Sequence, residues 1–563
     1  MLNVAIAGST ATSSTAGTGG TIYVDEGAAG GGDGSTGSPY TKAEFEALTF
    51  ADPTNVTWRA TATTWTITTT GDGIDFPSNT NNTVDAGDTV TISGVGTGAN
   101  RCDRAFNLTD KTDVTVDGFT VAGQGVYSSS TVSTVASVDG SSGCTITNCT
   151  ITDTYGEQGI AIDDYSTTTP VDFTFSDNTW TGHGAHYDIH GSDDYGNGIY
   201  IVRGENIKIT GNTFTRVGGH STLEVRRCNG LIISGNFFNC DWTGQGGVNS
   251  KGHTRAIEMK ANGTTGGSSD GNYNWLIEDN FSYLCGGVND QTYPLTPAHK
   301  IGGQLGVFRN NVTRSTTGFC TKWLMSATGN FMDDLYCYNN TFYISDMGVM
   351  EAYAASSSTD LPGRSEIFNN VCQDQRNDPL ADARDDTELR WTLQDILASD
   401  ELLNGPTLFE YNIVDVGADG HIEGASGPDT TSLTTLETNE PSNVNNNTQS
   451  SVFGSFPNGA ATSGINNYVL TNNGGRAQTT VAVADTGSGT TLVVGNTRMF
   501  KDTMGGMRTG DTIYIGGTSA VIASIDSDTQ ISLVSGVSRS DGDDVIWGPA
   551  YDSGNVLQGV VGV

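Results

Sequence analysis

A short phrase recurs along this chain and restricts its fold more than any other feature. Apolar and polar residues alternate over a few positions, and then comes an Asn followed within two residues by another large apolar side chain. The phrase reads IKITGNTF at Ile207–Phe214, LIISGNFF at Leu231–Phe238 and WLIEDNF at Trp275–Phe281. It returns as GVFRNNV at Gly306–Val312, LYCYNNTF at Leu335–Phe342, EIFNNV at Glu366–Val371 and LFEYNI at Leu408–Ile413. Weaker copies come first, with the corner residue at Gly118, Asn148 and Asn178; the later corners are Asn212, Asn236, Asn280, Asn311, Asn340, Asn370 and Asn412. The intervals are 30, 30, 34, 24, 44, 31, 29, 30 and 42 residues. A unit of this length, built of short strands without helical spacing, makes a solenoid. The alternation inside each unit makes it a β-solenoid.

The alternation predicts which side chains share the interior. Ile207 and Ile209 point one way and Lys208 the other, and Ser234 faces out beside Ile233. Asn suits a corner because it tolerates the left-handed backbone, and its amide can bond the same amide one rung away. Nine rungs at the inter-strand spacing amount to a rod of roughly 43 Å.

Composition narrows the function. The chain has 563 residues, 75 of them Gly, and only 16% are charged, which fits a turn-dense all-β protein. Its formal net charge of −37 repels nucleic acid, so a nucleic-acid partner is excluded. The same field opposes polyanionic glycans unless cations or a local basic patch intervene. Nine cysteines form an odd set without paired spacing; Cys144, Cys149, Cys337 and Cys372 read as small core residues, not a disulfide framework. The first residues lack a basic, then apolar, signal pattern, and no apolar run is long enough for membrane insertion.

Residues 1–20 read as a low-complexity arm. A short helix from about Thr41 to Leu48 is predicted to close the open end of the solenoid, whose strand edges would otherwise be bare. The solenoid runs over 21–475, interrupted by a Gly-rich insertion near 241–273 and by a second near 374–405. In the latter Leu389, Leu393, Ile396 and Leu397 have helical spacing. From 476 to 563 the hairpin-like runs VAVADTGSGTTLVV and GDTIYIGGTSAVIASIDSDTQISLV predict a small separate β-domain.

Several of these motifs resemble the pectin-lyase-like right-handed parallel β-helix superfamily. They are Tyr23-Val-Asp25, Gly32-Asp33-Gly34-Ser35 and Ser38-Pro39-Tyr40 at the opening, the Asn corners, and Ser451-Val-Phe453 with Asn467-Tyr468-Val-Leu470 at the close. The resemblance implies an all-β, right-handed parallel β-helix, and is compatible with lyases, glycosidases, epimerases and phage spikes alike. Gly510–Gly516 and Ile525–Gln530 are similar to small β-modules of phage virion proteins. Together these imply a trimeric virion spike, fibre or capsid-decoration protein exposed on the particle surface, with other virion proteins and a host cell-surface polysaccharide as partners. The alternative is a polysaccharide-degrading enzyme, a lyase or glycoside hydrolase.

The residues offer three places for chemistry. TLEVRR at Thr222–Arg227 and AIEMK at Ala256–Lys260 align so that Glu224 and Glu258 face outward on neighbouring rungs, with Arg226 and Lys260 in a column beside them. Glu224 and Glu258 would then lie about 5 Å apart at the backbone, near the spacing of a retaining glycosidase's acid and nucleophile. The same column also reads as a ladder of surface ion pairs. Calcium-dependent lyases of the superfamily place a Lys base and an Arg on such a wall; Arg226 matches the Arg, but no Lys-Ser motif precedes it and only Arg203 is near. Trp242, with Lys260 and Arg203, is a candidate glycan contact. Last, His186, Asp188 and His190 alternate on one strand face, which is workable ligand spacing, so calcium or a transition metal is the cofactor the chain would take, if any. The competing reading of that segment is a polar loop or trimer contact.

Overall fold

A computed structural model describes residues 20–68, 71–93, 102–123, 133–154, 158–162, 168–183, 197–218, 220–240, 255–259, 272–285, 299–301, 304–315, 321–326, 335–338, 340–344, 350–354, 365–368, 370–374, 407–410, 413–415, 444–445, 448–449, 479–485, 489–495, 512–516, 518–527 and 529–547. The arm at 1–19, most of both insertions, and with them Trp242, Lys260, His186, Asp188 and His190, lie outside these residues.

Three long sheets form the walls of a rod. Among the described residues, wall A has 14 strands from Thr21–Asp25 to Val444–Asn445, wall B has 10 from Gly71–Asp75 to Met350–Ala354, and wall C has 13 from Thr64–Thr68 to Thr448–Gln449. Past the opening pair, Thr21–Asp25 with Thr54–Arg59, each strand of the rod pairs in parallel with its counterpart one rung on and not with the next strand in sequence: Ile207 with Leu231, Leu231 with Trp275, and Trp275 with Gly306. Chain that returns to the same sheet in parallel coils right-handed, and the fold is the right-handed parallel β-helix.

The alternation works as the residue pattern requires. Ile207, Ile209, Leu231, Ile233, Trp275 and Ile277 are buried in one continuous core, while Lys208 is exposed. Phe175, Phe214 and Phe238 stack along the axis with ring centroids 6.2 and 5.3 Å apart. The opening is closed by a helix at Lys42–Glu46, shorter than predicted. Thr41 and Glu44 form a reciprocal cap, and Phe45 meets Trp58 edge-on at 5.3 Å.

The corner needs one correction. Two adjacent residues share the work that the sequence reading gave to one Asn. The left-handed residue belongs to a column of Gly118, Asn148, Asp177, Gly211, Gly235, Asp279 and Asn310, with φ between +52° and +79°. The next residue turns inward. From Asn178 on it is Asn, in the series Asn178, Asn212, Asn236, Asn280, Asn311, Asn340 and Asn370. Gly118 and Asn148 therefore stand one place before the ladder position, which on their rungs holds Phe119 and Cys149; the Cys149 amide donates to Asn178 Oδ1 at 2.8 Å. A left-handed backbone and an inward amide cannot come from one residue, because the turn rotates its own side chain away from the core.

Beyond the rod, strands from Thr479–Thr480 to Asp544–Trp547 form a six-stranded antiparallel sheet around Leu492, Ile513, Ile522, Ile531 and Val545. These residues share a buried cluster with Leu276, Val307, Tyr336 and Tyr338 of wall A. Leu276, Val307 and Tyr336 are register neighbours on the face away from the rod's interior. No described helix is long and apolar enough to cross a membrane.

Candidate functional site

The outward column of wall B brings the predicted acids together. Leu223 pairs with Ile257 and Val225 with Met259, all four in the core, so Glu224 and Glu258 between them face outward as direct register partners. In backbone register Tyr200, Glu224, Glu258, Lys300, Lys322 and Glu351 follow one another along six rungs. Both glutamates are nonetheless buried, at 2% and 1% exposed.

Buried carboxylates need partners, and each has its own arginine. Glu224 accepts from Arg226 Nε at 2.9 Å and from Asn197 Nδ2 at 3.0 Å. Arg226 also lies over the Tyr200 ring, 4.8 Å from its centroid. Glu258 Oε2 accepts from Arg255 Nη1 at 2.6 Å and from Ser221 Oγ at 3.1 Å, and His220 Nε2 stands 2.6 Å away. Arg255 Nη1 is also 2.8 Å from that same His220 nitrogen. A guanidinium only donates, so His220 accepts from Arg255 when Nε2 is bare and donates to Glu258 when it is protonated; both bonds cannot exist at once.

Sequence reading found Glu224, Glu258 and Arg226 but missed His220, Arg255, Ser221, Asn197 and Tyr200. The missed signal was the alignment itself: once Glu224 is set against Glu258, Ser221 falls opposite Arg255. Arg203 is placed elsewhere. It precedes Gly204, whose partner is Cys228, so its neighbour on the next rung is Arg227 and not Arg226. Trp242, Lys260 and the His186, Asp188, His190 set lie outside the described residues. His183, which opens that histidine-rich segment, is a core residue: Thr154 Oγ1 meets its Nδ1 at 2.9 Å, Trp180 packs edge-on against it, and burial lowers its pKa to about 4. Trp275 is buried in the core.

Among the described residues, His220, Glu224 and Glu258 have donor atoms within 4.8 Å of one another, close enough to share a metal ion. The fit is poor, because Arg255 already sits between His220 and Glu258 and Arg226 holds Glu224. A divalent ion would add two charges to a cluster whose acids are already balanced by two arginines. The chemistry this arrangement does support is a fixed, neutralised polar wall.

No family model and no curated protein matches the sequence. Among solved structures, the Streptococcus pneumoniae surface protein and adhesin PfbA is similar over 56% of this chain and 88% of its own, at 12% identity and a TM-score of 0.35. Geobacillus virus E2 ORF18 is similar over 57% of this chain and 54% of its own, at 12% identity and a TM-score of 0.35. Pectate lyase Pel9A is similar over 68% and 85%, at 15% identity and a TM-score of 0.31. With likenesses this distant, the fold stands on the strand register.

Proposed function

We propose that the chain is a structural and adhesive rod of a virion surface, a trimeric spike, fibre or decoration protein that holds host glycan without cutting it. The observation that carries this reading is the pairing of each wall glutamate with its own arginine, Glu224 with Arg226 and Glu258 with Arg255. Carboxylates spent in this way make a wall rigid, not reactive. Resemblance of the C-terminal motifs to virion modules, together with a net charge of −37 that turns away nucleic acid, supports the particle surface as the setting.

A second reading, polysaccharide cleavage, is favoured by one feature: the Glu224, Glu258 and His220 donor atoms converge within 4.8 Å. One assay separates the two. The protein is incubated with capsular polysaccharide or lipopolysaccharide, and new reducing ends or unsaturated products are followed. The rod reading expects retained glycan binding without product, and a trimer mass in light scattering. Product formation that disappears in Glu224→Gln and Glu258→Gln would establish the enzyme instead.

A further inference from the structure

We propose that Cys240 and Cys285 form a disulfide that staples two successive rungs of the rod. The strands Phe237–Asn239 and Phe281–Cys285 stack in parallel, with Phe238 opposite Ser282 and Asn239 opposite Tyr283. Simple continuation would set Leu284 against Cys240. The next rung shows a different alignment: Tyr283 pairs with Arg314 and Cys285 with Ser315, which are adjacent residues. Leu284 is thus a bulge, and Cys285 takes the rung position after Tyr283.

That position is the one facing Cys240, whose amide donates to Tyr283 O at 3.0 Å. The two sulfurs touch at 2.7 Å, and the residues are 5% and 0% exposed. Stacked rung positions lie ~4.8 Å apart, inside the ~4.4–6.8 Å Cα window a disulfide spans. The nine cysteines give no framework by spacing, yet stacking two rungs makes one pair. The bridge would close the longest interval between corners, the 44 residues from Asn236 to Asn280, and within that loop lies the Arg255–Met259 strand that carries Glu258.

The chemistry needs an oxidant, and a small-molecule disulfide such as oxidised glutathione suffices. One cysteine thiolate attacks it and releases a glutathione thiolate; the second cysteine thiolate then displaces the other glutathione and forms the Cys240–Cys285 bond. Two thiols lose two protons and two electrons, and the glutathione disulfide takes up both. Burial, with the neighbouring Cys240 thiol, pushes the Cys285 thiol well above its usual value. The exchange therefore belongs to folding in an oxidising medium, before the rungs close over the sulfurs.

The test refolds the full chain in oxidised and reduced glutathione, blocks remaining thiols with an alkylating agent and maps peptides without reduction. The expected result is a linked pair holding Cys240 and Cys285, lighter by two hydrogens than the two thiol peptides together. The oxidised protein should also melt at a higher temperature than the dithiothreitol-treated one, a difference that vanishes in Cys285→Ala. Both cysteines carrying the alkylating group, or either joined to another cysteine, would overturn the proposal. Should Cys285→Ala fail to fold, the peptide map of the unmodified sequence decides alone.

Discussion

The rod carries two buried polar columns, and they solve the same problem by different means. At the corner between walls A and C, identical amides stack: Asn236 Oδ1 accepts from the Asn212 amide and from Asn212 Nδ2, both at 3.0 Å, while Asn236 Nδ2 donates to Ile209 O and to Asn280 Oδ1. Each rung satisfies the rung before it, so the pattern can extend for as long as the rungs do. On wall B two carboxylates stack, which alone would repel. Their charges are met from outside the column, by Arg226 two residues on from Glu224 and by Arg255 at the start of its own strand. Neutral dipoles repeat without help, whereas stacked like charges need local partners, and in register the position after Glu258 is Lys300.

Breaking the ladder should have the largest effect. Asn236→Ala leaves the Asn212 backbone N–H and one of the two Asn212 Nδ2 hydrogens without an acceptor, the other still reaching Phe175 O, and an expected loss of roughly 4 kcal/mol follows from about 1–3 kcal/mol per orphaned N–H. Guanidinium unfolding checks it, and a loss under about 1 kcal/mol would mean that the ladder is decoration.

Breaking the charged column should cost somewhat less. Arg255→Met strands Glu258 with Ser221 and His220, at about 3 kcal/mol. The double variant Arg255→Met with Glu258→Gln should recover much of that loss. Purely additive losses in this cycle would show that the pair is not coupled.

Acid should weaken the protein through His183 as well. Its folded pKa, about 4, lies below the ordinary 6.5, so the unfolded chain binds the proton first. Stability is full above about pH 6.5, falls as pH drops toward 4, and loses about 3 kcal/mol in all. The expected signature is a smaller slope over that window in His183→Gln.

The smallest effect tests the division of labour at the corner. Gly211 has φ +68° and a Cβ there would collide with the Asp177 carboxylate, so Gly211→Ala should cost about 1–2 kcal/mol. An equal cost for Asp177→Gly, at a position of the same column where φ is +56°, would contradict the account.

Much of this was written in local patterns. Alternation at Ile207–Ile209 and a corner that recurs at every rung are enough to require stacked parallel strands, because side chains of period two and a repeating turn leave no other way to bury one face on every rung. The outward placing of Glu224 and Glu258 follows from the same arithmetic. What no local pattern contains is the offset between rungs. That the left-handed residue precedes the ladder Asn, and that His220 and Arg255 reach Glu258, both depend on which residue of one rung lies above which of the next. A one-residue bulge at Leu284 is enough to set Cys285 beside Cys240. Sequence spacing runs along the chain, while these contacts run across it, through insertions of unequal length that only the stacked backbone brings into register.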